Sequence, residues 1–153
     1  VDRDTLGFAE GSMSFTGNLN VWAQLLHAGA TLVLATNLRS TRWPALLDRY
    51  PVTLLYLVPV KLKLLLQVLE KEYPSLKMVL AGSQLLDAET ARALKKHFPR
   101  SQILLYYGAS ELDYITWLTY EELLAHPQSV GKPCPGVKVE IREGMIYMIR
   151  LTG

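Results

Sequence analysis

Cysteine is almost missing from this chain. Cys134 is the only one in 153 residues, so no internal disulfide can form. Such usage fits a reducing, cytoplasmic setting. An excess of one charge is missing too: 16 basic residues face 14 acidic ones, a net +2, and no Lys/Arg run exceeds two residues. That excludes the basic stripe of a nucleic-acid binder or of a protein held on an anionic membrane. Long apolar runs are absent as well. The longest, "TLLYLVPVKLKLLL" (53–66), is broken by Pro59, Lys61 and Lys63, whereas a membrane span needs about 20 predominantly apolar residues. The chain opens at Val1 without Met or a leader-like stretch and breaks off at "MIYMIRLTG", inside a strand pattern. Both ends are therefore expected to be cuts in a larger protein.

What is present is core-forming material. Half of the residues are apolar and a fifth are charged, and a chain of this length buries roughly 70% of its unfolded surface. "GNLNVWAQLLHAGATLVLA" (17–35) reads as a helix with Leu19, Trp22, Leu25 and Leu26 at helical spacing, a stop at Gly29, and a short buried strand "TLVLA". "TRWPALLDRY" is a short helix with Pro44 in its first turn, and "VTLLYLV" is a strand. "PVKLKLLLQVLEKEY" follows as a helix opened by Pro59, with Val60, Leu64, Leu65, Val68 and Leu69 inward and Lys61, Lys63, Gln67 and Glu70 outward. "LKMVLAG" is the next strand. Asp87 is the expected N-cap of "AETARALKKHF", whose Ala91, Leu94 and Phe98 share a face. "QILLYYG" is another strand, and "GVKVEI" with "MIYMI" reads as an antiparallel pair closing the sheet. Alternating helices and apolar strands predict one α/β unit over residues 1–153: a mostly parallel sheet with helices on both faces, ending in an antiparallel hairpin.

Loops after successive parallel strands gather along one edge, where open α/β sheets place their ligands. Three such loops are expected to meet: "AGSQLL" (81–86), "YGASEL" (107–112) and "VGKPCPG" (130–136). In them Tyr107 offers a flat face, Ser110 a hydroxyl, Gly82 room for close approach, and Glu111 a hard oxygen ligand of the kind Mg²⁺ takes when it bridges to phosphate. Taken singly, each has a plainer reading: a rim aromatic, a turn glycine, a solvated carboxylate, a rigid proline turn. Their order and spacing together describe a nucleotide site.

In that order the motifs resemble those of the adenylate-forming superfamily: acyl- and aryl-CoA synthetases, peptide-synthetase adenylation domains and luciferases. "YGASE" is similar to its aromatic-Gly-x-Thr-Glu motif with Ser110 at the Thr position, "GKPCPG" matches Gly-x-Pro-x-x-Gly at Gly131, Pro133 and Gly136, and "LLHAGATLVL" resembles its helix-to-strand passage. The resemblance implies ATP, Mg²⁺ and coenzyme A as cofactors. It puts Tyr107 on adenine, Gly108 beside it in the motif, Ser110 at the α-phosphate and Glu111 on the metal. It implies that Gly82, Ser83 and Gln84 line the adenine and acyl pocket, with Phe15 near the carboxylate being activated. Amino-acid-activating members usually follow that aromatic with Asp. Thr16 stands here, so the resemblance implies a fatty or aryl acid.

The same resemblance makes the chain a fragment of a larger N-terminal adenylation domain. The phosphate-gripping loop would precede Val1, and the catalytic C-terminal domain would follow Gly153. No catalytic side chain is assigned within the fragment, which is expected to be inactive alone. The acceptor stays open between coenzyme A and a carrier-protein thiol. A non-catalytic α/β binding module, using "YGASE" as an ordinary loop, is the reading from another class.

Overall fold

Five apolar runs lie side by side as parallel strands in the computed structural model, which describes residues 1–151. They are β1 (Leu6–Ala9), β2 (Thr31–Leu34), β3 (Leu54–Tyr56), β4 (Met78–Gly82) and β5 (Gln102–Ala109). β6 (Asp113–Thr119) returns antiparallel on β5, and β7 (Lys132–Pro133) adds two residues at its edge. The strand order is β2-β1-β3-β4-β5-β6-β7. Helix α1 (Thr16–His27) joins β1 to β2, α2 (Trp43–Arg49) joins β2 to β3, α3 (Pro59–Leu66) joins β3 to β4, and α4 (Ala88–His97) joins β4 to β5. α5 (Tyr120–Ala125) follows β6.

That order reverses direction between β1 and β3. With right-handed crossovers the reversal puts α1 on one face and the later helices on the other. Two separate cores record the division. Phe8, Leu55, Val79 and Ile103 pack against Trp43 of α2, Leu62 of α3 and Leu94 of α4. Ala9, Leu54, Tyr56 and Tyr106, which point the other way along the same strands, pack against Val21, Trp22 and Leu25 of α1. Neighbouring residues such as Leu54 and Leu55 therefore serve different cores, as the period-two alternation of strands requires. The expected sheet with helices on both faces is what forms.

Local signals were reliable where they were chemical. Asp87 caps α4, its carboxylate accepting the Thr90 N–H at 2.7 Å, and Ala91, Leu94 and Phe98 are fully buried. Pro44 and Pro59 both sit in first helical turns. Several expectations need correction. α3 ends at Leu66 and buries Leu62 and Leu65, leaving Val60 and Leu64 exposed. α1 buries Asn18, Val21, Trp22 and Leu25, with Leu19 and Leu26 outward. β2 is an edge strand, half exposed rather than buried. The hairpin β8 (Val137–Arg142) and β9 (Met145–Arg150) is a sheet of its own and does not close the larger one. Pro133 ends the edge strand β7, and Pro135, which has no N–H for a ladder, lies between the two sheets. No helix among the described residues is long and apolar enough to cross a membrane.

Candidate functional site

The carboxyl ends of β4 and β5 face the start of α1. Gly82 ends β4, and Ser83 turns the chain with φ +68. β5 continues beyond its β4 partner, slips register between Tyr107 and Gly108, and turns at Ser110 into β6. A cleft of about 170 Å³ lies between these loops and the first turns of α1. Phe15, Thr16, Gly17 and Asn20 form the α1 wall; Ser83, Tyr106, Gly108, Ser110 and Asp113 face them.

The cleft is bridged at two points. The Thr16 hydroxyl donates to Ser110 Oγ at 3.1 Å, and the Asn20 amide donates to Asp113 Oδ1. α1 begins at Phe15 with no side-chain cap. The Phe15 N–H bonds the Ser12 carbonyl at 3.2 Å, and with no capping side chain the N–H groups of Thr16, Gly17 and Asn18 are open to an anion. Hydroxyls at Thr16, Ser83 and Ser110 add neutral donors around the same space. Deeper in, the Tyr56 and Tyr106 hydroxyls are 2.9 Å apart, and Tyr106 meets Tyr114 edge-on at 4.7 Å. Burial, then the bond to Tyr106, pushes the Tyr56 phenol far above its ordinary value, and burial does the same to Tyr114. Both phenols are neutral at any physiological pH, so they donate and accept hydrogen bonds but carry no charge.

The structure brings together four of the residues singled out from sequence: Phe15, Ser83, Gly108 and Ser110 all line the cleft. The others lie around it. Gly82 is buried behind the Tyr106 ring. Gln84 turns away, its Oε1 accepting the Val60 N–H of α3 at 3.3 Å. Tyr107, 43% exposed, is the next residue along β5 from Tyr106, on the opposite side of the strand. Glu111 sits exposed in the β5–β6 turn and joins none of the ion pairs among the described residues. The third loop does not meet the other two. Lys132 and Pro133 pair with Trp117 and Thr116 in mid-β6, and Cys134 faces a different cavity.

Sequence reasoning missed Tyr106, Asn20 and Asp113. Gly17, Asn20 and Gln24 recur at helical spacing along α1, and this small-or-polar row was the available signal for a face turned to β5 and β6. In the structure Gln24 donates to the Tyr114 hydroxyl at 3.4 Å.

Comparison with known proteins places these features in context. A family model described as AMP-binding enzyme matches residues 4–145. An uncharacterized acyl-CoA ligase, YhfT of Bacillus subtilis, is 27% identical over 117 residues, 76% of this chain and 24% of that protein. Malpibaldin synthetase of Mortierella alpina is 25% identical over 130 residues, 80% of this chain and 2% of the synthetase. The chain thus spans about a quarter of the first of these relatives and far less of the second. Among solved structures, VinN in complex with L-aspartate superposes with a TM-score of 0.86 at 24% identity, covering 100% of this chain and 42% of VinN. The o-succinylbenzoate CoA synthetase MenE of Bacillus subtilis, with ATP and magnesium, gives 0.81 at 20% identity, covering 96% and 31%. These two likenesses are of fold.

Proposed function

The chain belongs to the AMP-binding enzyme family, and on that premise we propose that the complete polypeptide activates a carboxylic acid with ATP and passes the acyl group to coenzyme A. In the first half-reaction a carboxylate oxygen bonds to the α-phosphorus of ATP. The bond from that phosphorus to the bridging oxygen breaks, and pyrophosphate leaves with the electron pair. In the second, a thiol sulfur attacks the acyl carbon and AMP departs. The single observation that carries this reading is the cleft itself. The uncapped start of α1 and the hydroxyls of Thr16 and Ser110 converge at the carboxyl ends of the parallel strands.

Roles follow from chemistry. The free N–H groups of α1 and the hydroxyls of Ser83 and Ser110 hold negative charge as it moves from carboxylate to phosphate, the kind of fixed-dipole stabilisation that costs no reorganisation. Phe15 sits where the acid enters, Tyr107 offers its exposed face to adenine, and Gly108, where a Cβ would lie 2.4 Å from the Asp113 carbonyl oxygen, lets the β6 backbone close against the motif. Gly82 backs the pocket from the end of β4, while Gln84, two residues on, turns to the Val60 N–H of α3. Glu111 fits Mg²⁺ because its carboxylate is exposed and unpaired, and a magnesium site bridging to phosphates needs only one or two carboxylates. No cluster of three or more His, Cys, Asp or Glu occurs among the described residues, so no all-protein metal cage competes with that assignment. Bound there, the ion neutralises phosphate charge. A cytoplasmic location belongs to the same reading.

A second reading has one observation behind it. Asp113 places a carboxylate in the cleft, with Oδ1 held by Asn20. That group would pair with the ammonium of an amino-acid substrate, although Thr16 is not the Asp usual for such substrates. ATP–pyrophosphate exchange with fatty, aryl and amino acids, using Glu111→Gln as control, separates the readings. Exchange with a fatty or aryl acid, lost in the control, supports the first. Exchange confined to amino acids and lost in Asp113→Asn supports the second, and exchange with none rejects both.

A further inference from the structure

The strand order reverses between β1 and β3, and open α/β sheets form a crevice outside the carboxyl ends of their strands at such a point. An ion pair spans that crevice here. The ammonium of Lys61, in the first turn of α3, bonds the carboxylate of Glu10, the first residue after β1. Their side chains are 31% and 15% exposed, whereas in each of the other ion pairs among the described residues the cation is more than half exposed. Burial lowers the Lys61 pKa from its ordinary value, so water is partly excluded from the pair. An ion pair so placed adds little net stability, because desolvation offsets the attraction. What it does supply is a fixed separation between two elements.

Those elements carry the two walls of the polar cleft. The loop from Glu10 runs into Phe15 and Thr16, on one wall. Its other side-chain ties reach only α1 and the segment after β2: the Asn18 amide donates to the Ser12 carbonyl at 2.8 Å, and Thr36 Oγ1 donates to the Gly11 carbonyl at 3.2 Å. Beside Lys61, the Val60 N–H donates to Gln84 Oε1 at 3.3 Å, and Ser83, next to Gln84, belongs to the facing wall. Residues 60 and 61, with φ fixed just ahead of them at Pro59, thus hold both walls from one helical turn. We propose that Lys61 is a positioning residue: bonded to Glu10 on one side and adjoining the Val60–Gln84 bond on the other, it sets the spacing between the start of α1 and Ser83. This rests on the adenylation reading above, in which those walls hold negative charge as it moves from carboxylate to phosphate. A shift in their spacing acts on the transition state, where a misplacement of about 1 Å costs on the order of 100-fold in rate.

The test compares the complete polypeptide with Lys61→Arg, Lys61→Met and the double variant Glu10→Met/Lys61→Met. The single methionine leaves a half-buried carboxylate unpaired and should lower Tm; the double variant removes both charges at similar volume and should restore it. In ATP–pyrophosphate exchange with the active acid, the double variant should still lose about 10–100-fold in kcat, with KM for ATP little changed, while Lys61→Arg keeps most of the natural rate. Hydrogen exchange read by mass spectrometry should be faster over residues 10–16 in the double variant. A double variant with natural Tm and natural kcat would overturn the inference and leave the adenylation reading standing, since the pair would then be structural alone. Unchanged hydrogen exchange over residues 10–16 would overturn it too, as would Lys61→Arg with a natural Tm and the rate of the single methionine variant. Pyrophosphate exchange with no acid in the natural sequence would reject the adenylation reading and this inference with it.

Discussion

Replacing Gly131 by alanine should cost far more than replacing Gly144, although both have positive φ. Gly131 has φ +91 and Gly144 φ +76, so alanine is strained at either position. An L-residue there costs roughly 1–2 kcal/mol. The surroundings differ. A Cβ on Gly131 would lie 1.8 Å from the Trp117 carbonyl oxygen and 2.8 Å from the Leu118 nitrogen, whereas one on Gly144 would meet nothing within 4 Å. The obstacle at Gly131 is β6 backbone, which cannot rotate away as a side chain can. β7 must lift off its partner strand, losing the Trp117–Lys132 pairing. Overpacking of this kind adds roughly 1–3 kcal/mol. The expected loss is about 3 kcal/mol for Gly131→Ala and about 1 kcal/mol for Gly144→Ala. At roughly 2–4 °C per kcal/mol for a chain of this size, Tm falls by roughly 6–12 °C in the first and roughly 2–4 °C in the second. Urea unfolding monitored by tryptophan fluorescence measures both, and an unchanged m-value shows that only stability moved. Equal losses would refute the claim that this motif glycine exists to let two strands touch.

Leu62→Ala should destabilise by roughly 2–5 kcal/mol, because Leu62 is fully buried, while Leu64→Ala, 41% exposed, should stay within roughly 0.5 kcal/mol; denaturant midpoints decide. Asp87 supplies an acid-limb prediction. The Lys63 ammonium, then the Thr90 N–H, hold its carboxyl at about 2, below its ordinary 3.8. A lowered folded value means stability that is full above about pH 4 and drains away as pH falls toward 2. Asp87→Asn should flatten the stability curve over that window, and Asp87→Ala should cost roughly 0.5–2 kcal/mol at neutral pH through loss of the cap. Stability measured at pH 7, 4 and 3 in the three proteins checks both.

The parallel sheet and its helices were legible because buried parallel strands are continuous apolar runs and their crossovers carry their own caps. What failed was decided at a distance. In "PVKLKLLL" nearly every position is apolar or lysine, so periodicity cannot choose a face. The sheet chooses Leu62 and Leu65, and Lys61 ends beside Glu10. The four-residue β1, with glycine second, is too short to announce itself. β6 was overlooked because it starts at Asp113, directly after the loop "YGASEL", with a turn too short to separate it from β5. The same division holds at the site. Phe15, Ser83 and Ser110 meet because loops at one sheet edge must meet. Tyr106 matters because Gly17 and Gly82, far apart in sequence, leave room for its side chain beside that of Tyr56, and no local pattern reveals that.

Under the proposed function a carboxylate attacks the α-phosphorus of ATP. The most direct test of that step is isotopic. The complete polypeptide is incubated with ATP, coenzyme A and the active acid carrying ¹⁸O in its carboxyl group, and the nucleotide product is examined by mass spectrometry. AMP carrying one ¹⁸O is expected, because the bridging oxygen of the adenylate comes from the acid and stays with phosphorus when the thiol takes the acyl group. Unlabelled AMP, or ADP with the label in inorganic phosphate, would contradict it.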